Sequence, residues 1–384
     1  MTLCDPNERL RPDIRVLILY PFVAATICLH YDTNHADGTG ASLKQMRSKS
    51  LNEDISNVLK LHFLAGGDIN NKRNDVDGQV CFYVRGHGTM SNNPLRKVFN
   101  KFAGILSKQT KPMHKRLDSV YTEGDEIYII GFSRGAASAR RFCCELEEKG
   151  VGVKFLGCFD TVSDQFLRHP IVAVTRMLPN KLISSDVLKE KNGKIAKNVR
   201  TAVHSISLDD SRRTFPLIHM GSNDPKVFES YFPGSHSMVG GGYYFNGVSD
   251  ACGKHMQDWL KEEGVTFLDY NDVHPECLQR DDDPNVKVDE QNIQFDPDPE
   301  EPDSWERNYL PSRDRRVCSV ANNEIIDGGR VKIDQSVLRH LESRADKDPP
   351  YKPNPNLKSA NFVVTGHLGE ELPEETEKLR NLLK

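Results

Sequence analysis

The sequence predicts an α/β fold: a mostly parallel central sheet with helices on both faces. Three observations predict it. Short apolar runs are continuous instead of alternating, helical periodicity appears between them, and a glycine-flanked turn joins one run directly to a helix. A continuous run suits a strand buried on both faces, and alternation of strand with helix suits a sheet covered on both sides.

In the first half the strand candidates are Arg15 to Tyr20, Ala25 to Tyr31, Val80 to Val84 and Glu126 to Ile130. Between the second and third, Ile55, Val58, Leu59 and His62 share a helical face. After Ser133, Ala139, Phe142, Cys143 and Leu146 recur at i, i+3, i+4 and i+7, and Gly150 suits the helix end. Further strands are expected at Val153 to Phe159, Ala202 to Leu208 and Val227 to Phe232, with a helix from about Ser249 to Glu263. No internal repeat is evident.

Between Asp281 and Asp303 ten acidic residues face one lysine, Lys287, and four prolines interrupt the stretch. That composition reads as a solvated loop. The tail after Leu357 holds one apolar run, Asn361 to Val364, and then a charged surface helix. The expected organisation is a core over residues 1–280, an acidic loop over 281–303, and an extension over 304–384 packing on the core.

With 384 residues, 37% hydrophobic and 28% charged, the chain is long enough to bury an enzyme-sized core. A net charge of -4 provides no broad positive field, so nucleic acid is not an expected partner. Nine cysteines cannot all pair within one chain, and none stands in CxxC spacing; Cys143 and Cys144 are adjacent. They read as reduced thiols of a cytosolic protein. The apolar run Val16 to Leu29 is broken by Tyr20 and Pro21, falls short of the roughly 20 residues of a membrane span, and lacks the basic start of a signal peptide. The expected location is cytoplasmic as synthesised, a state compatible with leaderless export.

The chemistry centres on Gly131-Phe132-Ser133-Arg134-Gly135, placed between a strand and a helix. Glycines there let the backbone turn tightly enough to push a serine into a strained, exposed position above the sheet. The helix start offers backbone N–H groups and a positive dipole end to an oxyanion. Ser133 is therefore the candidate nucleophile of an α/β-hydrolase fold.

A serine needs a histidine base and a carboxylate to orient it, and in this fold the order is serine, acid, histidine. His169, His204, His219, His236, His255 and His274 all lie downstream. His236 is preferred because it follows the run ending at Phe232 and precedes Gly240-Gly241-Gly242. Asp160, at the end of Val153 to Phe159, is the preferred acid; Asp209 and Asp210 are the alternatives, with an ion pair to Arg212 or Arg213 as the structural role of the loser. The oxyanion hole should combine the Arg134 N–H with a donor from Asp32-Thr33-Asn34, and Gly86 and His87 are expected to line the pocket.

Together these motifs resemble a known family, the α/β hydrolases once catalogued as a domain of unknown function, which include the first family of type VI secretion lipase effectors. The matching pieces run in order: the Asp32 loop, Ser56-Asn57-Val58, Gly86 to Thr89, Gly131 to Ala136, and Phe159 to Val162. Then come Ser207 to Asp210, Phe232 to Ser237 with the triple glycine, Ser336-Val337-Leu338 and Tyr351-Lys352-Pro353. Where the family reads Asp-Gly-Thr, this chain has Thr33 directly after Asp32.

The resemblance implies a triad of Ser133, Asp160 and His236. It also implies a phospholipase acting on acyl esters of glycerophospholipids, without metal or organic cofactor. A thioesterase or small-ester hydrolase is the alternative within the same chemistry, and a non-catalytic binding protein is the alternative outside it. Residues 161–200 read either as a membrane-facing cap, which would make a membrane surface a further partner, or as an amphipathic helix packed on the sheet with a cationic outer face. There Ile171, Val172, Val174, Met177 and Leu178 mix with Arg168, Arg176 and Lys181, which suits an element in a lipid interface. Oligomeric state is not legible.

Overall fold

The computed structural model describes residues 15–20, 55–84, 106–162, 188, 190, 194–211, 217–221, 224–242, 247–281, 288, 293–300, 315–321, 324–347 and 350–384. Strands β1 (Arg15–Tyr20), β2 (Gln79–Tyr83), β3 (Glu126–Phe132), β4 (Val153–Phe159), β5 (Val199–Ser207) and β6 (Val227–Phe232) fall where apolar runs predict them. The expected strand Ala25 to Tyr31 lies outside the described residues.

Among the described residues eight strands form one sheet in the order β10-β9-β6-β5-β4-β3-β1-β2, and every neighbouring pair is parallel. The last two members, β9 (Val331–Asp334) and β10 (Phe362–Thr365), come from the C-terminal section. Instead of only packing on the core, that section extends the sheet itself. Its runs are only four residues long, so they do not stand out as strands until they pair. A separate antiparallel pair joins β7 (Ser319–Ala321) to β8 (Glu324–Ile326).

Alternation along β3 divides the core. Ile127 and Ile129 pack with Met113 and Leu117 of α2 (Leu106–Leu117) and with Phe142 and Leu146 of α3 (Arg134–Glu148). Tyr128, Ile130 and Phe132 point the other way, toward Val58 and Leu61 of α1 (Asn57–Leu64) and Met256 and Leu260 of α5 (Gly247–Glu262). Between them sits the single helical turn and a half of α4 (His236–Gly240). The C-terminal helices α6 (Gln335–Ser343) and α7 (Pro373–Leu382) bury Val337, Leu338 and Leu379 against β9 and β10.

Helix α1 is buried on every side, because a second layer covers the face expected to be polar. That layer includes Val288 and Ile293, which are 4% and 0% exposed. The acidic stretch is thus more than a solvated loop: apolar residues anchor its described part on α1 while Asp281, Asp296, Asp298 and Glu300 are exposed. The cap expected over 161–200 lies mostly outside the described residues. Its described end is core, with Ile195 and Ala196 packed on the α2–α3 face and Val199 opening β5.

Candidate active site

Parallel register brings the ends of β3, β4, β5 and β6 to one edge: Phe132 pairs with Phe159, Phe159 with Ser205, and Ser207 with Phe232. The next residues are Ser133, Asp160 and, after a short turn, His236. An open parallel sheet builds its sites at this carboxyl edge.

Ser133 has φ 57° and ψ -122°, a conformation that L-residues hold only under constraint, at a cost of about 1–3 kcal/mol. The surroundings impose it. The Ser133 N–H donates to Phe159 O at 2.9 Å, and α3 starts at the next residue. Gly131 is required because a Cβ there would lie 2.7 Å from the Ala136 backbone. A serine at a helix N-cap commonly bonds its own helix, but Ser133 makes no such bond. Its Oγ faces His236 Nε2 at 2.8 Å.

The His236 ring is held on three sides. Its Nδ1 meets Asp160 Oδ2 at 2.5 Å, its face lies 4.7 Å from the Phe132 ring, and its backbone N–H donates to Asp210 Oδ2 at 3.1 Å. Gly240 keeps Phe132 in place, since a Cβ there would fall 2.1 Å from that ring.

Asp160 accepts from Ser207 N at 3.0 Å and from both Nη atoms of Arg315, at 2.5 and 2.9 Å. Burial acts to raise its pKa, but the Arg315 guanidinium and the His236 bond outweigh burial and hold the carboxyl well below its usual range. Asp160 is therefore ionised and aimed at His236 Nδ1. All three side chains, Ser133, Asp160 and His236, have 0% exposure. The expectation of an exposed serine is not met: the turn is enclosed between the end of β4 and the imidazole it faces.

The alternative acids do something else. Asp209 accepts from Gly234 N at 2.6 Å, Tyr351 OH at 2.7 Å and Asn354 N at 2.8 Å. Asp210 accepts from the His236 backbone N–H. Both brace the loop that carries His236. Arg212 and Arg213 lie outside the described residues, as do Asp32, Thr33, Gly86 and His87. Arg134 begins α3 directly after Ser133.

Of the other histidines, His274 caps a short 3-10 turn, while His204 and His219 both contact Glu229. His255 stacks edge-on with Phe232 at 5.0 Å, and His169 lies outside the described residues. Sequence reasoning misses Arg315 altogether. It is 155 positions from Asp160 and carries no motif, so only the completed fold reveals the pair.

Comparison with solved structures finds several chains similar to this one. A solved structure of an uncharacterized protein from Pseudomonas aeruginosa is 19% identical, with 75% of this chain and 49% of that one covered and a TM-score of 0.41. The Tle1 effector bound to the VgrG spike of the type 6 secretion system is 20% identical, with 60% and 51% covered and a TM-score of 0.35. A metagenomic carboxyl esterase is 9% identical, with 65% and 76% covered and a TM-score of 0.35. The chain spans about half the length of the first two. No curated protein sequence matches it. The profile of the type VI secretion Tle1-like phospholipase effector catalytic domain matches residues 35–151 and 141–263, more than half of the chain. The protein belongs to this Tle1-like phospholipase effector family.

Proposed function

We propose that the protein is a serine hydrolase of acyl esters, a phospholipase A that works through Ser133, His236 and Asp160. The observation that carries this reading is the unbroken line from Ser133 Oγ to His236 Nε2 and from His236 Nδ1 to Asp160, on a serine with positive φ that does not cap its own helix. Ser133 Oγ attacks the acyl carbonyl while His236 Nε2 takes its proton, and His236 then returns that proton to the departing alcohol. Water, activated by the same nitrogen, releases the fatty acid from the acyl-enzyme. Asp160 fixes the tautomer in which Nδ1 carries the proton and stabilises the imidazolium that forms. Arg315 acts through Asp160 as a positioning residue. The family match supports a glycerophospholipid as the substrate class.

A fluorophosphonate probe should label Ser133 in the wild-type protein and leave Ser133→Ala unlabelled. A panel of glycerophospholipids, thioesters and short p-nitrophenyl esters then identifies the acyl donor. Absence of labelling in a folded protein would overturn the hydrolase reading. Labelling with thioester turnover and no phospholipid turnover would overturn only the substrate.

A further inference from the structure

A second cluster of buried polar groups stands apart from the Ser133 constellation. His255 comes from α5, Asp334 from the last position of β9, and His367 from just after β10. One donor atom from each lies within 4.8 Å of the others. The parallel register places Asp334 directly opposite Thr365, so His367 follows two residues beyond the same sheet edge. His255 is 3% exposed, Asp334 is 0% exposed, and His367 is half-buried.

Each residue also contributes a buried polar atom with no hydrogen-bond partner: His255 Nδ1, Asp334 Oδ2 and His367 Nδ1. Leaving such an atom unsatisfied costs about 1–3 kcal/mol, and three converge here. The other carboxylate oxygen of Asp334 is already engaged, accepting from Ser336 N at 2.8 Å as the N-cap of α6. The carboxylate is thereby fixed through Oδ1, and Oδ2 is the oxygen left buried without a partner.

We infer that His255, Asp334 and His367 bind a divalent transition-metal ion, with zinc the best match. Two imidazoles and one carboxylate are the donor set that borderline-soft divalent ions prefer over calcium or magnesium. Donors around a tetrahedral zinc at about 2.0–2.1 Å lie roughly 3.3 Å apart, so small side-chain rotations close the present spacing. In the sequence the three residues are far apart and form no metal-spacing motif.

The ion is structural. It ties the two C-terminal strands to α5, and through the ring contact of His255 with Phe232 it braces the strand end that leads to His236. None of the three side chains bonds to Ser133, His236 or Asp160.

The test uses the full chain, stripped with a chelator, exposed to zinc and desalted, with metal content and melting temperature measured together. One zinc per chain and a raised melting temperature are expected. Both should be lost in His367→Ala and weakened roughly tenfold or more in Asp334→Asn. Asparagine still caps a helix, so Asp334→Asn decides the matter if His367→Ala does not fold. Cobalt in place of zinc should show visible absorption of a four-coordinate site in wild type only. A wild-type chain that retains no zinc, or variants that retain it fully, would overturn the site and leave bridging water as the occupant. The outcome is independent of ester hydrolysis.

Discussion

Asp160 and Glu229 are both fully engaged carboxylates on neighbouring parts of one sheet, each facing histidine, yet their surroundings make them different devices. Asp160 stands past the end of β4, between His236 and Arg315, and the far nitrogen of His236 meets a serine hydroxyl. Glu229 stands within β6, between His204 at 2.8 Å and His219 at 3.5 Å. The far nitrogen of His204 accepts the Thr161 backbone N–H at 3.0 Å and also faces Thr161 Oγ1 at 3.1 Å, so its lone pair is engaged by a fixed backbone donor. Burial lowers the pKa of His204, which holds that ring neutral with Nδ1 donating to Glu229. A carboxylate–histidine pair is common structural hardware. What faces the second ring nitrogen separates the two: a backbone N–H engages His204 Nε2, whereas His236 Nε2 meets the hydroxyl of a serine with positive φ.

The sharpest break of this comparison is Ser133→Ala, which should lower hydrolysis of a short p-nitrophenyl ester by roughly 10^4-fold or more at an unchanged melting temperature. Retained turnover in a folded variant would remove the Asp160 side of the contrast. Next in size, Asp160→Asn should reduce kcat by on the order of 10^3 to 10^4, because an amide favours the wrong tautomer of His236. Under the same conditions Glu229→Gln, Asp209→Asn and Asp210→Asn should each retain kcat within about tenfold while lowering stability by about 1–3 kcal/mol. If Glu229→Gln proves as damaging to kcat as Asp160→Asn, the two carboxylates are not the different devices described.

Removing the cation beside Asp160 tests the other partner. Arg315→Met leaves a buried carboxylate without its guanidinium and should cost about 3–5 kcal/mol in denaturant unfolding. An equally stable variant would show that the pair contributes nothing.

The smallest effect is one of pH. Burial opposes the charge on His219, but the Glu229 carboxylate outweighs burial and raises its pKa from 6.5 to about 9. A raised folded-state pKa stabilises fully below the unfolded value and is lost as pH climbs through the folded one. The melting temperature should therefore fall between pH 6.5 and about 9, by the equivalent of up to roughly 3 kcal/mol. In Glu229→Gln that slope should flatten; a slope of the same size in the variant would locate the titrating group elsewhere.

Much of this architecture is legible in the order of the residues. β4 and β6 have the bounds their apolar runs predict, and α3 runs between Ser133 and Gly150 as its periodicity requires. His236 and Asp160 can be singled out because strand ends and glycine turns mark where a parallel sheet presents side chains. Arg315 cannot. It sits among ordinary charged residues, and nothing local separates an arginine destined for burial from one that stays in solvent. Asp209 and Asp210 are equally ambiguous: each follows a strand just as Asp160 does, and only the positions of Gly234, Tyr351 and His236 show that they brace a loop.

The sequence by itself determined the elements and the turn that presents Ser133, because burial periodicity and backbone freedom are properties of contiguous residues. The tertiary structure alone decided how the C-terminal section is used. The short runs Val331–Asp334 and Phe362–Thr365 become sheet only through parallel pairing with distant strands. That same pairing delivers Asp334 and His367 to His255, and the surrounding chain delivers Arg315 to Asp160. The physical reason is one of range. A strand or a turn is stabilised by its own neighbours in sequence, whereas a buried charge pair or a converging set of donors exists only when segments far apart in the chain are brought out of water together.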